Sequence, residues 1–491
     1  MTTLKKLASQ TAVYGLSQIV GRFVNYLLVP LYTTLFSPGE YGVVTLLYAY
    51  VTFFNVLLTY GMETAFFRYA NKSHDPKEVY STSLGSVLST SVLFIFICSF
   101  FSDKLAGMIK LNDHPEYIIW FVWIMALDAL AAIPFALLRH QNKALKFALV
   151  KNINIFSNIL LNLYFLMLCP YMESNQGIAL PLYDPGIGIG YIFISNLVAS
   201  VITIPMLAKE LLGLKFSQFN TALWKDMLVY ALPMMVVGFA GMINEALDRT
   251  LITWFYPDPE TGRAMNGIYG ANYKLSILMS LFIQAFRYAA EPFFFAHAKS
   301  SNQKTIYAEV MNYFVLVCLF LFLLVMLFID VFQHFIGPSY REGLKIVPIL
   351  LLANMFLGIY YNLSIWYKLS DQTNKGALIS LIGAAITIAL NLWWIPLFGY
   401  IGSAWAHFGC YLSMMVICYL MGKKYYPIPY HTGKVIAYMV FALGLYLISI
   451  WVGPALTLSL RYGLNSVLLI LFGFMAWYFE HRNPAFRLFK S

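Results

Sequence analysis

The stretch GVVTLLYAYVTFFNVLLTYGMETAFFRYANK, residues 42–72, lies without a gap over GANYKLSILMSLFIQAFRYAAEPFFFAHAKS, residues 270–300, at a constant offset of 228. Tyr41 falls on Tyr269, Gly42 on Gly270 and Glu63 on Glu291. Further matches keep the same order along the chain. Asp103 meets Asp330 at an offset of 227, and LLNLYFL from Leu160 meets ALNLWWI from Ala389 at 229, which pairs Asn162 with Asn391. Ile189 and Gly190 meet Ile401 and Gly402 at 212. Loops of unequal length absorb the drift, and the preserved order argues for a duplicated set of helices rather than chance likeness between apolar segments. In a membrane protein such duplication is the usual plan of a carrier whose two halves move about a central site.

Composition places the chain in the bilayer. It has 491 residues, 60% hydrophobic, 17% aromatic and only 11% charged, with a mean hydropathy of +0.70; a soluble globule carries roughly 25% charged residues. Runs of about 20 apolar residues cross a hydrocarbon layer of roughly 30 Å. Fourteen are read, at approximately 11–36, 43–69, 82–101, 117–138, 147–169, 187–208, 228–256, 267–291, 305–329, 344–367, 376–397, 400–421, 434–453 and 462–480. The expected fold is all-α and polytopic, with two pseudo-symmetric six-helix lobes plus two C-terminal helices. The expected divisions are 1–215, 216–425 and 426–491. The first run, behind Lys5 and Lys6, is too long for a removable leader and lacks its small-residue cleavage site. Cys98, Cys169, Cys318, Cys410 and Cys418 fall in or at the ends of apolar runs, without the spacing of a disulfide framework or zinc site, and read as packing residues.

Positive charge resists translocation, so its distribution sets orientation. With the N-terminus in the cytoplasm, twenty-two of the 32 Lys and Arg residues fall on the cytoplasmic side, Arg68, Arg139 and Lys151 among them. Lys104, Lys110, Arg263, Arg341, Lys345 and Arg461 face outward, and Arg22, Arg249, Lys274 and Arg287 stay inside spans. The net charge of +10 therefore reports topology and no nucleic-acid partner. An even number of spans returns the C-terminus to the cytoplasm.

Gly15, Gln18, Arg22 and Asn25 share one helical face, and adding 223 gives a second such stripe, Gly238, Gly241, Glu245 and Asp248. Charge near mid-bilayer costs from roughly 2.5 kcal/mol upward unless it faces protein or a watery cavity, so both stripes are expected to line the cavity. Glu245 and Arg249, four apart, can neutralise each other. Arg22 has no partner on its own helix, so its counter-ion is Glu245, Asp248, Asp128 or a substrate anion, and the substrate anion is favoured. Lys274 lies near the outer end of the eighth span. Arg287 and Glu291, four apart at its inner end, read as a local ion pair and a gate. Glu63 is placed near Arg68, and both it and Glu291 read as latches. Asn154, Asn158 and Asn162 step along the fifth span with Asn391 on the eleventh, and such amides bind sugar hydroxyls or bond across to neighbouring helices. Pro30, Pro134, Pro205, Pro233, Pro348 and Pro396 lie inside spans, where proline kinks a helix.

No GxxxxGK[ST], no HExxH and no dinucleotide-type glycine spacing is present, so ATP hydrolysis, metal binding and a resident cofactor are not expected. The absence of a large external loop argues against a membrane-embedded glycosyltransferase or polymerase. KKLASQTAVYGLSQIVGRFVNYLLVPLYTTLFSPGEYG near the N-terminus, GYIGSAWAH in the twelfth span, and fourteen spans resemble the Wzx-type polysaccharide flippases of the multidrug/oligosaccharidyl-lipid/polysaccharide (MOP) exporter superfamily.

That resemblance implies a bacterial inner-membrane protein carrying undecaprenyl-diphosphate-linked oligosaccharide to the outer leaflet by alternating access. It implies membrane lipid and polysaccharide polymerases as partners. It makes Arg22 and Arg249 the diphosphate ligands; Gln18 and Asn25 on the first stripe, Lys274, and the in-span amides Asn158 and Asn162 are read from their places in the spans as further substrate contacts. Proton or Na⁺ coupling would use Asp128, Glu245 or Asp248. By analogy with the fourteen-span lipid II flippases, the thirteenth and fourteenth helices would hold the lipid tail. The neighbouring reading within the superfamily is a drug/cation antiporter, which an acidic pair, Asp128 with Glu63, would suit.

Overall fold

The computed structural model describes residues 21, 23–72, 75–298 and 302–481. Among these, helices account for nearly all regular structure and there is no strand. The chain divides into two compact units, 1–267 and 268–491.

In the first unit the chain enters through residues 23–26 and turns at Leu27–Leu28 into α1 (Val29–Leu35). Pro30 supplies no N–H there, which is why the helix breaks just before it. The second span starts on a capping box. Ser37 Oγ accepts from the Glu40 N–H, the Ser37 N–H donates to Glu40 Oε2 at 2.8 Å, and Pro38 takes the first helical position. This span is broken into α2 (Pro38–Thr59) and α3 (Met62–Ala70) by two left-handed residues, Tyr60 and Gly61. Then come α4 (Pro76–Phe100), α5 (Pro115–His140), α6 (Ala144–Leu163), α7 (Gly190–Met206) and α8 (Thr221–Phe255). The first two begin with proline, and α8 is capped by Asn220, whose side chain accepts from the Leu223 N–H at 3.0 Å. The fifth span continues past α6 through a π turn, Tyr164–Leu168, to Gln176. α4 packs on α5, α6 on α7, and α8 on α2, where Ala49, Phe53 and Ala246 form a buried cluster.

A short turn leads to α9 (Pro259–Leu275), which spans the boundary between the units. Asp258 caps it, accepting from the Thr261 N–H at 2.9 Å and hydroxyl at 2.5 Å, and these bonds hold its carboxyl below the ordinary carboxylate range. The second unit continues with α10 (Ile277–Ala296), α11 (Gln303–Leu327), α12 (Val347–Leu363), α13 (Thr373–Phe398), α14 (Tyr400–Tyr425), α15 (Thr432–Val452) and α16 (Leu458–His481). α14 packs on both α12 and α13, while α15 and α16 pack on α11.

Among the described residues, eleven helices are long and apolar enough to cross a membrane, and Phe23–Leu35 and Gly190–Met206 are shorter apolar helices. The remaining expected span, 267–291, falls on α9 and α10. The protein is thus a multi-pass, all-helical membrane protein. The division expected at 215 from the repeat differs from the compact boundary at 267: the seventh span, α8, expected to open the second copy, belongs to the first unit by contacts.

Candidate functional site

A polar chamber of about 370 Å³ lies inside the first unit, between α2–α3, α5, α6 and α7. Asp128 stands in the middle of α5 and its side chain is exposed, facing this space rather than packed protein. Its Oδ1 accepts from Ser200 Oγ on α7 at 2.9 Å. Lys151 on α6 supplies the facing positive charge, with Nζ 4.3 Å from the centre of the Phe135 ring. Asn154, one turn further along α6, donates to Thr203 Oγ1 at 3.0 Å, and Asn196 donates to the Tyr48 hydroxyl at 2.8 Å. At the end where α5 finishes, Arg139 and Glu63 form an ion pair. Two carboxylates and two cations therefore line the chamber, each carboxylate opposite a cation.

The second unit carries a related ion pair, Lys368 with Glu291. The pocket beside it is nearly closed, and the Arg287 guanidinium lies 4.6 Å from the centre of the Tyr361 ring. Two expectations are corrected here. Glu63 pairs with Arg139, not Arg68, which instead lies over the Tyr230 ring at 4.1 Å. Glu291 pairs with Lys368, not with Arg287 one turn away. In both cases a cation from another span reaches the carboxylate, so the pairs tie helices together instead of decorating one.

The seventh-span stripe does not share one environment. Glu245 is exposed whereas Asp248 is buried, its Oδ1 accepting from the Arg249 N–H at 2.8 Å. Arg249 Nη1 donates to the Glu245 carbonyl oxygen at 3.2 Å, so the helix backbone rather than the Glu245 carboxylate meets it there. Arg249 sits under two turns from the end of α8. Asn25 is exposed and Lys274 half-buried in the last turn of α9. Gln18 and Arg22 lie outside the described residues.

Asn162 is fully buried. Its Oδ1 accepts from the Tyr32 hydroxyl at 2.9 Å, and its Nδ2 donates to the carbonyl and Oδ1 of Asn158 at 2.8 and 3.0 Å. Its repeat partner Asn391 does likewise, accepting from Ser403 Oγ at 2.8 Å and donating to the Thr387 carbonyl at 2.8 Å. For these two amides the geometry is that of helix-to-helix bonding. Sequence reasoning missed Lys151 and Arg139 as site residues by counting both as loop charges. The signal was present: Lys151, Asn154 and Asn158 step by three and four, so the lysine shares the asparagine face.

Comparison with known structures gives the class first. The lipid II flippase MurJ in an inward closed conformation matches with a TM-score of 0.72 at 13% identity, over 95% of this chain and 99% of that one. An inward-facing multidrug resistance MATE family transporter of the MOP superfamily matches with 0.65 at 13%, over 82% and 93%. A MOP superfamily transporter from Pyrococcus furiosus, described as having a binding pocket of reversed polarity, matches with 0.56 at 14%, over 86% and 98%. The chain shares the fold of these structures. More narrowly, residues 7–297 match the sequence profile of the polysaccharide biosynthesis protein family, and the chain belongs to that family. No curated protein matches it.

Proposed function

We infer that the protein is a flippase carrying undecaprenyl-diphosphate-linked oligosaccharide from the cytoplasmic to the outer leaflet of a bacterial inner membrane, by alternating access, without making or breaking a glycosidic bond. The observation that carries this reading is a hydrophilic chamber at mid-helix depth, walled by Asp128, Lys151 and amides, in a member of the polysaccharide biosynthesis family. The MurJ-like fold supports it. Arg22 and Arg249 attract the diphosphate, because guanidinium is a fixed fork of donors that stays charged in a desolvated route; Gln18, Asn25, Lys274 and Asn158 contact the rest of the headgroup. Asp128, Glu245 and Asp248 are the groups through which H⁺ or Na⁺ would couple, and Arg287 acts as a gate. The last two helices hold the lipid tail, both termini are cytoplasmic, and the product is handed to a polysaccharide polymerase.

A drug/cation antiporter is the competing reading, favoured by the exposed Asp128 carboxylate. Arg22→Ala and Arg249→Ala separate the two. In cells lacking the native exporter, each variant is expected to lower glycan export about ten-fold or more, with drug resistance unmoved. Export at the wild-type level in both variants, or liposomes in which purified protein moves drug and no lipid-linked glycan, would overturn the flippase reading.

A further inference from the structure

The sequence repeat relates the polar chamber to a place in the second unit where no chamber exists. At the 228-residue offset, Asn55, Thr59 and Glu63 fall on Ile283, Arg287 and Glu291. At 229, Asp128, Ala132 and Arg139 fall on Leu357, Tyr361 and Lys368. The ion pair persists in both units, Glu63 with Arg139 and Glu291 with Lys368. The space beside it does not: about 370 Å³ in the first unit against about 10 Å³ in the second. A cavity of roughly 10–15 Å³ is the least that admits one water. The second unit has filled its copy with the stacked Arg287 and Tyr361 side chains, where the first unit has only Thr59 and Ala132.

Such unequal treatment of duplicated positions points to what the open copy holds. The charges lining it, Glu63 and Asp128 against Arg139 and Lys151, cancel, so it offers no net attraction to a diphosphate. Two of its amides each give an N–H to the walls, Asn154 to Thr203 and Asn196 to Tyr48, while a third, Asn55, lines the space with an exposed side chain. This leaves the Asn55 amide as donor and acceptor, the amide oxygens of Asn154 and Asn196 and Oδ2 of Asp128 as acceptors, and the Lys151 ammonium as donor. Phe135 and Phe147 supply an apolar wall. Hydroxyls above a nonpolar ring face complement that set, and the volume lies within the roughly 300–1,000 Å³ of ligand pockets. We propose that the first unit's chamber is a saccharide subsite, receiving an uncharged, hydroxyl-rich glycosyl unit of the cargo, and that its twin in the second unit has been closed by its own side chains. This rests on the flippase reading and adds to it a division of labour: phosphate on the arginines, sugar within one unit.

The second unit shows what a closed chamber is built from, so the test borrows its residues. Ala132→Tyr fills the chamber with the twin's side chain, and Asn55→Ile gives it the twin's isoleucine. Binding is measured on purified protein in nanodiscs with two probes, lipid-linked glycan extracted from the native cell and bare undecaprenyl diphosphate, alongside the thermal unfolding temperature. Wild type is expected to bind the glycosylated probe about ten-fold tighter or better. Each variant is expected to erase that preference while leaving affinity for bare undecaprenyl diphosphate within about two-fold and the unfolding temperature unchanged. Variants that weaken both probes equally, or neither, overturn the subsite. A wild type that binds neither probe overturns the flippase reading itself, a result recognisable without any variant.

Discussion

At the residue scale, two ion pairs organise what the repeat duplicates. Glu63–Arg139 and Glu291–Lys368 each join two spans, and all four side chains are only part-buried. Partial exposure screens such pairs, and exposed pairs contribute about 0.2–1 kcal/mol. Double-mutant cycles with Glu63→Gln and Arg139→Gln, and with Glu291→Gln and Lys368→Gln, are therefore expected to give couplings of about 1 kcal/mol or less and of similar size in both units. Chemical unfolding in detergent measures this, and a coupling confined to one unit would contradict their equivalence. The carboxylates of both pairs were legible in the sequence, because the opening match aligns them. Their partners were not, since Arg68 and Arg287 are near in sequence, and Arg139 and Lys368 come near only once α5 and the short helix Ile365–Leu369 have packed. Lys151 was lost for a different reason: a positive charge close to the start of an apolar run looks like a loop charge until the helix is seen to begin at Ala144.

At the element scale, the apolar runs predicted nearly every helix, because length and hydropathy are all that a membrane segment needs. Breaks inside the runs were harder to read. Proline marks the one before Pro30, but the interruption at Tyr60–Gly61 depends on a neighbour. Gly61 has φ 73°, and a Cβ there would stand 2.6 Å from the Ala231 carbonyl oxygen on α8. Its repeat counterpart, Ala289, lies within the unbroken α10. Gly61→Ala is accordingly expected to cost roughly 1–3 kcal/mol, from left-handed strain and from the displaced α8. A lowered thermal unfolding temperature in detergent would register it, whereas Ala289→Gly is expected to cost about 1 kcal/mol or less. Equal loss in the two variants would mean that the backbone contact with α8 carries nothing.

At the scale of the whole molecule, the sequence repeat aligns positions whose surroundings differ. Two copies of one helix set keep the same ion pair and the same buried amide bridge at Asn162 and Asn391, yet differ in whether space is left beside them. Volume is decided by a few side chains, Ala132 against Tyr361 above all, and an alignment of apolar letters gives those no special weight. The charge distribution makes its own prediction at this scale. Reporter proteins fused after residue 481 and ahead of Met1 are both expected to be active only as cytoplasmic reporters, while a fusion in the 177–189 loop is expected to be active only outside. An external C-terminus would break the parity of spans on which the proposed direction of transport depends.

The π turn between Tyr164 and Leu168 winds in a surplus residue just beyond the buried Asn162. From there outward the fifth span no longer follows the phase of its own asparagine row. Tyr164 reaches the Pro181 carbonyl and Phe165 stacks on Tyr191, so the helix end grips the loop ahead of α7. That loop is thereby coupled as a crank is to its shaft: a roll of the fifth span would carry the chain ahead of α7 with it.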